Sequence, residues 1–122
     1  MSVRADLDPL AHLELGRALA PLRSDDVLTV GSGASFHNFA AFGSPEGGRW
    51  DDWLNATMIR PAAERWEALA HWTEAPAAGT AHAQEEHLIP LMVAAGAAGD
   101  HPARTLYRGR LLETASSSWL FD

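Results

Sequence analysis

Val27-Leu28-Thr29-Val30-Gly31-Ser32-Gly33-Ala34-Ser35-Phe36-His37-Asn38 is the stretch on which the reading of this chain turns. A run of apolar and β-branched residues stops at a Gly-Ser-Gly step, which suits a short buried strand of a parallel or mixed sheet. In open α/β sheets, ligands lie just beyond the carboxyl ends of strands. A histidine soon after such an exit is well placed to act as a general base, because its ordinary pKa lies near neutrality. The glycines let backbone or ligand come close. An equally simple reading makes Gly31-Ser32-Gly33 a tight exit and His37 the start of the next turn.

Working outward, Asp8-Pro9 is a helix start, with Asp as N-cap and Pro in the first helical position. Ala11, Leu15, Ala18, Leu19 and Leu22 follow at helical spacing, so a helix is predicted over residues 9–23. Residues 36–42 read as a short helix or turn, and 43–48 as a Gly- and Pro-rich loop. Residues 50–58 are helical in pattern through Trp53, Leu54 and Met58. Pro61 starts another helix carrying Trp66, Leu69 and Ala70. Residues 75–80 read as a linker. Residues 85–98 read as a helix with a Leu88, Leu91, Met92, Ala95, Ala98 stripe and Pro90 in its first turns. Residues 105–107 and 117–121 have strand character. The pattern is α/β with more helix than strand: short central strands flanked by helices, in a single domain over 1–122.

The 122 residues can form a substantial core, and 47% hydrophobic with 20% charged residues suits a folded protein. Without cysteine there is neither disulfide nor thiolate metal site, which leaves His, Asp and Glu as the strong ligands. The net charge is −7 and lysine is absent, a poor composition for binding nucleic acid. No apolar run approaches a membrane span and the N-terminus lacks the apolar core of a signal peptide, so a cytoplasmic location is expected.

The six histidines carry the candidate chemistry. His82 and His87 flank Glu85-Glu86, and imidazole with carboxylate suits Fe(II), Mn(II) or Zn(II). Their spacing does not put both on one helical face, so a shared pocket requires His82 on the loop and His87 in the first turn. The alternative is an acidic helix start whose glutamates complement the macrodipole. His12, His71 and His101 read as structural or solvated. Trp50, Trp53, Trp66, Trp72 and Trp119 read as core or interface. Ser32 and Ser35 lie near His37 but lack the Gly-x-Ser-x-Gly context of a hydrolase nucleophile.

Residues 15–23, then 27–38, then Ala81-His82-Ala83-Gln84-Glu85-Glu86-His87-Leu88-Ile89-Pro90-Leu91 and 94–100, resemble class III extradiol dioxygenases in content, order and separation. These are the LigB-type, DOPA-dioxygenase-like enzymes. The likeness runs from about residue 3 to the end and corresponds to the C-terminal half of the family's α/β fold. It implies that His37 is the catalytic acid/base, His87 a metal ligand and His82 a substrate-binding residue. It also implies an Fe(II) cofactor, with Zn(II) in some members, and a catechol-type aromatic substrate cleaved with O2. Ala83 and Gln84 stand where the family has Pro and Arg. The family's N-terminal half, which carries further metal-binding histidines, has no counterpart here.

Such a chain is expected to pair with an N-terminal-half subunit or to form a homodimer, without nucleic acid or membrane as partners. The competing readings are a non-catalytic relic or small binding module that keeps the fold, and an independent helical regulatory domain. The last predicts no cleft around His37 and His87.

Overall fold

The computed structural model describes residues 1–122. Helix α1 (Pro9–Leu19) starts where the sequence places it: the Asp8 carboxylate accepts from the Leu10 N–H and Pro9 opens the helix. It ends earlier than predicted. Pro21 has no N–H for the Arg17 carbonyl and its ring crowds that position, so the chain tightens into a 3-10 turn over Ala20–Asp25.

Helix α2 (Pro45–Met58) begins inside the predicted loop, with Pro45 in its first turn and Glu46 at its positive end. Gly47, read as a loop residue, is buried in this helix because the Thr114 methyl packs where its side chain would be. Helix α3 (Ala62–Ala70) follows directly. The predicted linker contains a short helix, α4 (Ala78–Ala81), whose end residues are buried in the core. The single helix predicted over 85–98 divides into a 3-10 turn, Glu85–His87, and helix α5 (Ile89–Ala98), with Pro90 in the first turn of α5. Helix α5 is apolar on nearly every side and buried, the property of a central helix.

The chain closes with an antiparallel hairpin, β1 (Ala103–Leu111) and β2 (Thr114–Phe121), longer than the two strand segments predicted. It is tied to α2 by a buried polar network. The Ser117 hydroxyl donates to Asp51 Oδ1 (2.6 Å), Arg108 Nε donates to Asp51 Oδ2 (2.9 Å), and the Asn55 amide donates to Ser117 Oγ (2.9 Å). Every partner of the buried Asp51 is supplied, which offsets the cost of burying its charge.

Residues 27–30 differ from expectation. They are not part of a strand, and the two-stranded sheet contains only β1 and β2. A strand requires a partner edge, and none lies alongside them. The fold remains of the mixed helix-and-sheet kind. Its core joins Leu13 of α1, Trp50 and Leu54 of α2, Leu69 of α3, and Ile89 and Met92 of α5. No helix is long and apolar enough to cross a membrane.

Candidate functional site

The Gly-Ser-Gly step and the His82–His87 segment lie against each other because two glycines leave room for backbone contact. A Cβ on Gly31 would meet the Pro90 carbonyl oxygen at 2.4 Å, and one on Gly33 would meet the His87 carbonyl oxygen at 2.2 Å. Hydrogen bonds fix the approach: Ala34 N–H donates to His87 O (3.0 Å) and His37 N–H to Ala81 O (2.9 Å). The Asn38 amide donates to Thr80 O (2.8 Å). The His37 and His87 rings stack, with centroids 3.5 Å apart and planes 23° from parallel. The edge of Phe39 lies against His37.

His82 is buried between Trp50 and Trp72, each meeting its ring edge to face. Its Nε2 lies 3.0 Å from the Ser35 carbonyl oxygen, which can only accept, so Nε2 carries the proton. The Trp50 indole N–H donates to the same carbonyl. His82 Nδ1 is therefore a buried lone pair, and it has no partner. Burial is the main force lowering the His82 pKa from 6.5 to about 4; the Ser35 bond opposes it, and the nearby His37 and His87 charges add to it.

This shift has a signed consequence. Between pH 6.5 and about 4 the unfolded chain takes up a proton that folded His82 refuses. Folding stability therefore falls as pH falls through that window, by up to about 1.4 kcal/mol per pH unit from this residue. Urea midpoints at pH 7 and pH 5 should show the loss, and His82→Gln should reduce the slope. An unchanged slope in the variant would contradict a buried neutral His82.

The three sequence-selected histidines are thus brought together, at the start of α5 and the loop facing it. Ser35, weighed as a nucleophile, instead serves the scaffold: its hydroxyl accepts from Ser117 N–H (3.2 Å) and its carbonyl holds His82. His12, read as structural or solvated, is fully buried and structural. Its Nδ1 meets Asp8 O (2.6 Å), and its Nε2 accepts from Arg4 N–H (2.9 Å). The roles of Ser35 and Asp51 had no local signal, because their partners lie far along the chain.

A metal fits this set poorly. No three His, Asp or Glu side chains converge as a ligand cluster. Imidazole lone pairs lie in the ring plane, so near-parallel stacked rings direct theirs along neighbouring lines, not to one point. The 2-His-1-carboxylate arrangement that binds non-haem iron is not assembled by these residues alone.

The sequence matches, over residues 1–117, the family described as the catalytic LigB subunit of aromatic ring-opening dioxygenase. The chain belongs to the LigB family. It is 40% identical to the dioxygenase tasH of Hapsidospora irregularis, with 80% of this chain and 35% of that protein covered. It is 37% identical to a 4,5-DOPA dioxygenase extradiol of Beta vulgaris, covering 83% and 39%. The corresponding Portulaca grandiflora protein is 35% identical, covering 88% and 42%. The chain thus spans well under half the length of these LigB-family relatives. An uncharacterized protein of Escherichia coli K12 shares the fold at a TM-score of 0.79 and 22% identity, over 91% of this chain and 49% of that one.

Proposed function

We propose that this chain is the C-terminal part of an extradiol ring-opening dioxygenase and presents the proton-handling histidine to a catechol-type substrate cleaved with O2. The observation that carries the reading is the contact of the His37 and His87 rings, with His82 beside them, in a LigB-family chain.

In this reading His37 accepts a substrate hydroxyl proton at an unprotonated ring nitrogen and later returns it, the role its half-exposed position allows. His82 stays neutral and is assigned to substrate binding, with its Nδ1 lone pair, buried in this chain, as the acceptor it has free. Trp50 and Trp72 hold the ring in place edge to face. His87 is assigned as a metal ligand. The Fe(II) that the family resemblance implies, or Zn(II), requires further ligands from polypeptide beyond these residues, either the rest of a LigB-type protein or a second copy.

The lack of a converging ligand cluster favours one other reading, a binding module that keeps the fold without turnover. The two separate on reconstitution. The chain is combined with the remaining part of a LigB-family sequence under anaerobic Fe(II), then given catechol and O2, and the yellow ring-opened product is followed. The dioxygenase reading expects product from the combination. No turnover by an assembled, iron-loaded complex would leave the binding module. His37→Ala is expected to lower kcat by about a hundredfold or more while iron content is unchanged. Retained turnover in that variant would remove His37 from the chemistry.

A further inference from the structure

Asn38 directly follows His37, and its side chain makes two hydrogen bonds of opposite sense. Its Oδ1 accepts from the Ala40 N–H (3.2 Å), which caps the 3-10 turn Phe39–Ala41. Its Nδ2 donates to the Thr80 carbonyl oxygen (2.8 Å), 42 positions away in the chain. The two partners fix which way the amide points, since a carbonyl can only accept and a backbone N–H can only donate. A carboxylate in its place would lack the donor, and a hydroxyl would offer a single atom.

The His37 ring touches two others. It stacks on His87, with centroids 3.5 Å apart, and it meets the edge of Phe39 at 5.0 Å. Residues 36–38 belong to no helix or strand, so no ladder of backbone bonds sets the direction of this side chain. Individual bonds set it instead. The His37 N–H donates to Ala81 O (2.9 Å), and the Asn38 amide reaches the adjoining carbonyl of Thr80. The capped turn then places Phe39. Asn38 thus acts on both the backbone that carries His37 and the residue that flanks its ring.

We propose that Asn38 is a positioning residue: by bridging the Phe39–Ala41 turn to the Thr80 carbonyl, it holds the His37 ring against His87. The inference deepens the dioxygenase reading by naming what orients its proton-handling histidine, and it rests on that reading only for the effect on turnover. The competing role is a plain turn cap, which the Oδ1 bond alone would serve.

Asn38→Asp separates the two roles. Aspartate caps as well as asparagine, so the Ala40 N–H keeps its acceptor. The same carboxylate has no proton for the Thr80 carbonyl and is repelled by it. In NMR spectra of the 122-residue chain, the ring protons of His37 and His87 should carry the mutual ring-current shift of a stacked pair. The Asp variant is expected to lose that shift and to melt within a few degrees of the parent. Unchanged ring shifts would overturn the proposal and leave Asn38 a turn cap. Should the Asp variant misfold, Asn38→Ser makes the same test, since serine also caps but cannot bridge both partners. In the iron-loaded assembly with the remaining LigB-family polypeptide, Asn38→Asp should lower kcat about tenfold or more with KM changed less, because proton transfer depends on where His37 lies. A loss confined to KM would overturn the assignment to His37. Lost ring shifts with an inactive parent assembly would keep the positioning role and reject the dioxygenase reading; parent turnover with unchanged ring shifts would do the reverse.

Discussion

Gly96→Ala is expected to destabilise the chain by about 3 kcal/mol or more, enough to leave little of the 5–15 kcal/mol typical of a small domain. At the crossing of α1 and α5 an added Cβ on Gly96 would lie 2.1 Å from the Leu13 carbonyl oxygen and 3.0 Å from Gly16 Cα. The reverse holds across the contact, where a Cβ on Gly16 would lie 2.1 Å from the Val93 carbonyl oxygen. These obstacles are backbone atoms, so no rotamer change relieves them and the two helices must separate. Separation opens the core between Leu13 and Met92. Gly48→Ala provides the contrast. Gly48 lies within α2, is exposed, and has nothing within 4 Å of an added Cβ. Alanine there should stabilise by about 0.5–1 kcal/mol through its better helix propensity. The same chemical change thus has opposite signs at two helical glycines. Urea midpoints of the two variants measure it, and a tolerated Gly96→Ala would mean that the α1–α5 contact is looser than described.

Arg65→Met is expected to be nearly as costly, about 2–4 kcal/mol. Arg65 is 2% exposed and has no carboxylate within salt-bridge distance. Its guanidinium donates instead to carbonyl oxygens at two helix ends: Met58 and Arg60 at the end of α2, Gly99 and His101 after α5, the last two at 3.2 Å. Helix C-termini carry partial negative charge, so these carbonyls act as a dispersed counter-ion. Burial pulls the Arg65 pKa below its usual value and Asp100 partly opposes this, yet the group remains a cation. Its face also stacks on Phe121, which links the end of β2 to the same clamp. Methionine fills similar volume and leaves the carbonyls without a donor. Arg65→Lys should recover only part of the loss, because an ammonium cannot fork to both helix ends. Calorimetric melting of both variants decides this; a Lys variant as stable as the parent would reduce Arg65 to a point charge.

Much of the scaffold is written locally. Asp8-Pro9 starts α1 through a side-chain cap and a fixed φ, and both act within three residues. The apolar sequence of α5 is by itself that of a central helix, and Trp119-Leu120-Phe121 at the C-terminus has strand character. The loop reading of residues 43–48 failed because Gly47 was taken as a breaker. Its missing side chain is in fact room for Thr114, which lies 67 positions away. The linker reading of 75–80 failed similarly, since Ala78 and Ala81 look inert until the core they fill is known.

The sequence by itself determined which residues are candidates for chemistry, where most helices begin, that the chain is LigB-like, and that these residues include no cysteine. These follow from residue type and near-neighbour spacing, which folding does not alter. Only the tertiary structure decided that His82 is neutral and buried, that His37 and His87 stack, that Arg65 joins two helix ends, and that residues 27–30 have no strand beside them. Burial, ring contact and strand pairing each need a second party from elsewhere in the chain, which near-neighbour spacing does not reveal.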